Sequence, residues 1–379
     1  MTPTEKQQKI KQILIESLQR TPDERETCLT FLCGDDDLLR HEIETLLTES
    51  SYEELTKNLW AEIAEQAIGL LRRSQERLLP GMKLHGRYLI EKEIGHGGIG
   101  VVYLARDVQV HERPVVIKML LESSINNQWL KQKFQQESEA LALIDHPGVV
   151  KVLDRGELSD GRPFIVMEYI KGDTLESSLC PKGMNLDQVA FIVRQIGQAL
   201  SAAHDEGIVH RDLKPTNIMI QRLSGNARQI KLIDFGIAKV SQSSAHLVTD
   251  PVEAGTLAYM AIEQLLNAES SPLSDIYSFG VIAYEMVTGC RPFTPHQGAE
   301  PLAVRHLFVE MQKAGVQTSP RDLRPDLPET ASDLILKVLS SNPEERVSRA
   351  WEFGNYLADV LLGEEKFHEM YDTRPDESD

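Results

Sequence analysis

His210-Arg211-Asp212-Leu213-Lys214-Pro215-Thr216-Asn217 is the stretch that decides how the rest of the chain is read. An Asp, a Lys two positions on and an Asn five positions on can take three separable tasks. Asp212 can accept or orient the proton of an attacking hydroxyl. Lys214 can neutralise charge on a transferring phosphoryl group, and Asn217 can bind a metal. Further along, Asp234-Phe235-Gly236 adds a carboxylate able to ligate a Mg2+ that bridges phosphates. An Asp in a turn after an apolar strand is common by itself. The whole ordered set is not.

Upstream, Gly95-His96-Gly97-Gly98-Ile99-Gly100-Val101-Val102 fits G-x-G-x-x-G-x-V. Glycines here let the backbone approach phosphate oxygens and present amides unobstructed. A dinucleotide-binding turn would need a helix to open at the last glycine. The strand-like Val101-Val102-Tyr103-Leu104 follows instead, so that reading loses. Lys118 ends the run Val115-Val116-Ile117, where a strand–turn–strand return would place its ammonium under the same phosphates. Glu137 lies on a helix-like segment from Leu130 to Ile144. It is expected to face inward and pair with Lys118, whereas Glu139 faces elsewhere on the helix.

Working outward, short β-branched runs from Tyr88 onward give way after Leu175 to helical periodicity. One hairpin is expected, with Ile218-Met219-Ile220 and Ile230-Lys231-Leu232-Ile233 flanking Ser224-Gly225-Asn226. A strand-rich part followed by a helix-rich part predicts an α+β protein of two lobes. Residues 1–80 read as an all-α segment, with an apolar stripe on Ile10, Leu14 and Leu18 and a helix start at Thr21-Pro22-Asp23-Glu24. That segment reads as a packing appendage, with a protein-interaction module as the alternative. Residues 363–379 form an acidic tail poor in apolar residues, expected to be disordered.

A net charge of −18 argues against nucleic acid or anionic membrane as a partner. Cys28 and Cys33 have no matching pair elsewhere, so a zinc site is not expected, and reduced thiols fit a cytoplasmic setting. The most apolar stretch, Phe279 to Val287, is too short for a membrane span and contains Glu285.

With these pieces in order, Gly95 to Trp351 resembles a eukaryotic-type (Hanks-type) serine/threonine protein kinase domain, most similar to the bacterial branch. Gly97 to Tyr103, His210 to Met219, Gly255-Thr256 and Tyr259-Met260 carry the likeness. The resemblance implies a bilobal protein kinase fold over 88–362, with a β-rich small lobe, an α-helical large lobe and ATP in the cleft. It implies a nucleotide pocket formed by Gly95, Gly97, Gly98, Gly100, Val102, Val116, Lys118, Met167, Glu168, Ile170 and Met219. Met167 falls at the gatekeeper position, and Glu168 and Ile170 offer backbone groups to adenine. Asn217 and Asp234 are implied as ligands of Mg2+, or of Mn2+ in its place. Leu141, His210 and Phe235 fall where the family stacks a hydrophobic spine. Asp275, and Arg346 paired with Glu263, match scaffold residues.

Two departures from the family pattern stand out. Ala261-Ile262-Glu263 replaces the usual Ala-Pro-Glu, and Val116 replaces the usual Ala of the strand motif. Neither removes a chemical group. Lys214 and Thr256 match the positions that mark serine/threonine rather than tyrosine kinases. By the same resemblance Arg211 reads a phosphorylated activation loop. That loop, Asp234 to Glu263, offers Ser241, Ser243, Ser244 and Thr249, with Thr249 nearest the usual primary site. The implied partners are ATP, protein substrates bearing Ser or Thr, and a second copy of the chain for autophosphorylation in trans. The competing functions are a scaffold that binds nucleotide without transfer and a small-molecule kinase. The complete set Lys118, Glu137, Asp212, Lys214, Asn217 and Asp234 disfavours the first. The docking-like segment Gly255 to Glu263 disfavours the second.

Overall fold

The computed structural model describes residues 78–97, 100–121, 128–223, 227–236, 254–266, 268–295 and 301–363, together with Ile13, Leu29, Leu32, Cys33, Leu39 and Arg40. The chain divides into two compact units, Met1–Arg77 and Leu78–Asp379. In the first unit the described positions are helical. Ile13, Leu29, Cys33 and Leu39 form one buried apolar cluster there, with Leu32 against it. The cap expected at Thr21 and the sulfur of Cys28 lie outside the described residues.

The second unit begins with an antiparallel sheet of β1 (Lys83–Leu84), β2 (Tyr88–His96), β3 (Gly100–Asp107), β4 (Arg113–Leu120), β5 (Val152–Glu157) and β6 (Pro163–Glu168). Its strand order is β1-β2-β3-β4-β6-β5. Side chains alternate between its faces, as extended backbone requires. Tyr88, Ile90, Val101, Tyr103, Val115, Ile117, Met119 and Val166 point to one face and form a closed core. Leu120, Ile165 and Met167 point to the other and join the larger core, with Val116 packed against it. Helix α1 (Gln128–Leu143) sits in the chain between β4 and β5 and buries Leu130, Phe134, Ser138 and Leu141. The sheet is thus covered on one face by its own core and on the other by α1 and the cleft.

A three-stranded sheet β7-β8-β9 (Gly172–Thr174, Ile218–Arg222, Arg228–Leu232) follows. Strands β8 and β9 pair from Ile218↔Leu232 to Arg222↔Arg228, so the expected hairpin is present. Its tip at 224–226 lies outside the described residues.

Around this sheet pack the helices α2 (Leu186–Asp205), α3 (Ala254–Leu257), α4 (Ile262–Leu265), α5 (Pro272–Thr288), α6 (Pro301–Ala314), α7 (Pro320–Leu323), α8 (Glu329–Val338) and α9 (Ala350–Leu362). Helix α2 starts cleanly because the Asn185 side chain accepts from the Asp187 and Gln188 amides. Helix α5 is buried almost all round from Ser274 to Thr288, which makes it the axis of the large lobe. Its apolar run, too short to span a membrane, is the lobe's core. Among the described residues no helix is long and apolar enough to cross a membrane.

Helices α2 and α9 touch through paired glycines. A Cβ on Gly354 would lie 2.5 Å from the Val193 carbonyl oxygen, and one on Gly197 would lie 2.6 Å from that of Ala350. Backbone cannot yield at such distances without separating the helices. Gly354→Val is expected to destabilise the protein by about 1–3 kcal/mol, the usual cost of overpacking a core. A urea melt reads this directly, and an unchanged midpoint would contradict the packing account.

Candidate active site

Cross-strand register assembles the small-lobe half of the site. Val102 lies opposite both Gly95 on β2 and Lys118 on β4, and Val116 lies opposite Met167 on β6. The glycine turn is closed by the Gly97 amide, which donates to the Gly100 carbonyl at 2.9 Å. At Gly100 glycine is favoured by packing, because a Cβ there would meet the Met119 carbonyl oxygen at 3.0 Å. Gly95 and Gly97 are different. Among the described residues other than its chain neighbours, a Cβ on either would meet no atom nearer than 3.6 Å and 3.8 Å respectively, and neither has positive φ. The space they leave suits a group from outside the chain, as phosphate oxygens over backbone amides would be. Gly98 lies outside the described residues.

The large-lobe half is held by buried groups. Asp275, 1% exposed, accepts hydrogen bonds from the His210 amide at 2.7 Å and the Arg211 amide at 2.9 Å. Its Oδ2 also meets His204 Nε2 at 2.9 Å. This anchoring holds Arg211 at φ +64°, a left-handed conformation that a non-glycine residue keeps only when its surroundings enforce it. Burial lowers the pKa of His210, whose Nε2 meets the Ile233 carbonyl at 3.0 Å. The rings of His210 and Phe235 stack with centroids 4.5 Å apart. Leu141 and Phe235 are buried in one apolar core, and His210 joins them through its ring contact with Phe235.

From this frame the chemical groups converge. Lys214 Nζ lies 3.3 Å from Asp212 Oδ2 and donates to Thr256 Oγ1 at 3.2 Å. The Asn217 side-chain amide donates to the Asp212 carbonyl at 2.8 Å and to its Oδ2 at 3.3 Å. The Ile233 amide donates to the Asn217 carbonyl at 3.0 Å, which sets Asp234 beside the strip that carries Asp212 and Asn217. One carboxylate and one amide oxygen are hard donors that suit Mg2+, with phosphate oxygens completing its shell. When bound, that metal would neutralise charge on the phosphates.

The sequence places Lys118 and Glu137 together, and the structure pairs them otherwise. Lys118 Nζ bonds Asp234 Oδ1, and Glu137 bonds the Arg211 guanidinium. Both pairs are largely shielded at their cationic ends, with Lys118 16% and Arg211 19% exposed. Burial raises the pKa of Glu137, with Arg211 opposing the shift. The exchange has a simple cause. The left-handed turn at Arg211 offers Glu137 a guanidinium from the large lobe, while Asp234, itself at φ +56°, offers Lys118 a carboxylate. Arg211 is therefore committed to the helix α1 carboxylate here. The candidate phosphate acceptors Ser241, Ser243, Ser244 and Thr249 lie outside the described residues.

Beyond Thr256 the chain is tied down at several points. The Tyr259 hydroxyl donates to Glu285 Oε2 at 2.5 Å, and the Ser278 hydroxyl donates to the Tyr259 carbonyl at 2.7 Å. Gln264 Nε2 donates to the Arg211 carbonyl at 3.2 Å. Glu263 receives two bonds from Arg346, at 2.7 Å and 3.0 Å. Sequence reasoning missed Gln264, whose side chain also accepts from the Ala261 amide at 3.1 Å. It secures the turn whose usual proline is Ile262.

The protein kinase domain family matches residues 88–359. This chain belongs to that family. Among curated kinases it is 36% identical over 279 residues to the serine/threonine-protein kinase pkn3 of Myxococcus xanthus, covering 72% of this chain and 50% of that one. It is 36% identical over 288 residues to PknA of Mycobacterium tuberculosis, covering 75% and 63%. It is 35% identical over 274 residues to PrkC of Bacillus subtilis, covering 72% and 40%. The chain thus spans less than two thirds of the length of these relatives. Its fold matches the crystal structure of the Mycobacterium tuberculosis PknI kinase domain with a TM-score of 0.55 at 23% identity, covering 75% of this chain and 99% of that one. It is a kinase domain of the bacterial Hanks type, and protein kinases use ATP with Mg2+.

Proposed function

We propose that this chain is a serine/threonine protein kinase that transfers the γ-phosphate of ATP to hydroxyls on proteins. The convergence of Asp212, Lys214, Asn217 and Thr256 on one strip beside Asp234 is the observation that carries the reading. In this reading Asp212 orients the acceptor hydroxyl and takes up its proton, and Lys214 offsets charge on the phosphoryl group in flight. Thr256 shapes the pocket beside the acceptor. Lys118 holds the α- and β-phosphates, Asn217 and Asp234 hold Mg2+ or Mn2+, and Glu168 and Ile170 present backbone to adenine. Gly95, Gly97, Gly98 and Gly100 cover the phosphates, while Val102, Val116, Met167 and Met219 line the adenine pocket. A cytoplasmic location and signalling role belong to the same reading. So does a kinase domain over 88–362 that follows a helical segment over 1–80.

Regulation follows from the pairing of Arg211. A phosphate on Thr249 would draw the guanidinium away from Glu137, because guanidinium–phosphate pairs are strong. Glu137 would then be free to orient Lys118. Such phosphorylation in trans would need two copies of the chain to meet.

Incubating the purified chain with ATP and mapping phosphate by mass spectrometry tests this. Phosphate is expected on Thr249 only when Mg2+ or Mn2+ is supplied, and Thr249→Ala is expected to lower turnover. Phosphate mapped on the active protein with Thr249→Ala turning over normally would sink the regulatory part. No phosphate on this chain or on an added protein would sink the kinase reading.

A further inference from the structure

Lys231 does not touch any proposed reacting group, yet it is among the most enclosed cations of the site region. Its ammonium lies 2.5 Å from Glu168 Oε1, with the two side chains only 12% and 16% exposed. It also donates to the Val149 carbonyl at 3.3 Å. The same Glu168 oxygen accepts the Lys151 amide at 2.9 Å, and the Glu168 amide donates to the Lys151 carbonyl at 3.0 Å. Glu168, the last residue of β6, is therefore clamped by both its main chain and its side chain.

The other end of the clamp is strand β9. Lys231 lies opposite Met219 in the β8–β9 ladder. Its neighbour Leu232 exchanges backbone hydrogen bonds with Gly148 and Val150 at 2.8 Å and 3.0 Å, and β9 runs directly into Ile233 and Asp234. One ammonium thus joins three pieces: the adenine-facing connection after β6, the loop ahead of β5, and the strand that delivers the metal-binding Asp234. His146 on that loop has its pKa lowered by burial and by the charge of Lys231. A lysine serving only solubility would project into water, where an ion pair contributes little. An enclosed pair shared among three segments instead fixes their spacing, since removing one partner strands the other charge.

We propose that Lys231 is a positioning residue for nucleotide binding: through Glu168 it sets the distance between the backbone that receives adenine and the β8–β9 ladder that carries Met219 and leads into Asp234. The proposal rests on the kinase reading above. It concerns ground-state binding, so the effect should fall on ATP affinity and KM rather than on the rate at saturation.

The test compares wild type, Lys231→Met and Lys231→Arg by titration with a fluorescent ATP analogue and by steady-state kinetics with varied ATP. Lys231→Met is expected to weaken nucleotide binding and raise the ATP KM about tenfold while kcat stays within about twofold, the pattern of lost uniform binding. Lys231→Arg, which keeps the charge, should bind within about threefold of wild type. If Lys231→Met lowers only the melting temperature and binds nucleotide normally, the role is structural and the proposal is wrong. Equal weakening in Lys231→Met and Lys231→Arg would overturn the charge argument. Should Lys231→Met fail to fold, Lys231→Gln supplies the same comparison with a neutral polar side chain. A wild type that binds no nucleotide is a different failure, and it removes the kinase reading along with this one.

Discussion

Asp212→Asn is expected to lower kcat by about 10²–10⁴, the range lost when a positioned base or orienting group is removed. The substitution is nearly isosteric, and the surroundings of Asp212 are built to hold it. Asn217 and Lys214 already lie within 3.3 Å of its Oδ2, and the Asn217 side chain also bonds its carbonyl. The loop position is set from below by Asp275, which does not depend on the Asp212 side chain. The variant should therefore fold and bind ATP with the affinity of wild type while transfer collapses. Rapid-quench measurement at saturating ATP separates the two. Transfer at the wild-type rate would show that Asp212 is not the group that orients the hydroxyl.

Arg346→Leu should be the most damaging substitution for stability, at about 3–5 kcal/mol, because it strands a buried carboxylate. The Arg346 side chain is fully enclosed and Glu263 is 14% exposed. The guanidinium makes two bonds to Glu263, donates to the Leu273 and Ser340 carbonyls, and stacks over Tyr277 at 4.9 Å. Burial alone would raise the pKa of Glu263, but the Arg346 bonds and charge hold it below the ordinary carboxylate value. The sign follows from linkage. A carboxylate with a depressed folded pKa contributes stability above its unfolded pKa and loses that contribution as pH falls through the folded value. The gap between wild type and Arg346→Leu should therefore narrow on acidification. Urea denaturation at neutral and acid pH measures both effects, and a neutral-pH loss under about 1 kcal/mol would contradict the burial argument.

The large features of the fold were legible because they rest on local pattern. The β-branched runs after Tyr88 became β3, β4 and β6, and the two arms around residues 224–226 became β8 and β9. The expected helix from Leu130 to Ile144 became α1. Motif spacing picked out Asp212, Lys214 and Asn217, which sit in one loop and meet there, whereas Thr256 came from the family resemblance and reaches Lys214 from 42 residues away. The ion pairs were less legible. Glu137 could reach either Lys118 or Arg211, and only the lobe arrangement chooses between two cations. The clamp of Glu168 by Lys231 was equally hidden, since sequence shows an unremarkable lysine in a strand. Gln264 is a third case. Its role depends on the missing proline at Ile262 and on a carbonyl at Arg211, which pattern alone does not bring together.

The central claim is phosphoryl transfer from ATP to serine or threonine hydroxyls, and label transfer tests it most directly. The purified chain is incubated with Mg2+, γ-labelled ATP and a generic basic protein, and the labelled protein is hydrolysed for phosphoamino acid analysis. The account predicts label on phosphoserine or phosphothreonine that disappears without the metal and in Asp212→Asn. Label confined to phosphotyrosine, label that persists undiminished in Asp212→Asn, or no label at all would contradict it.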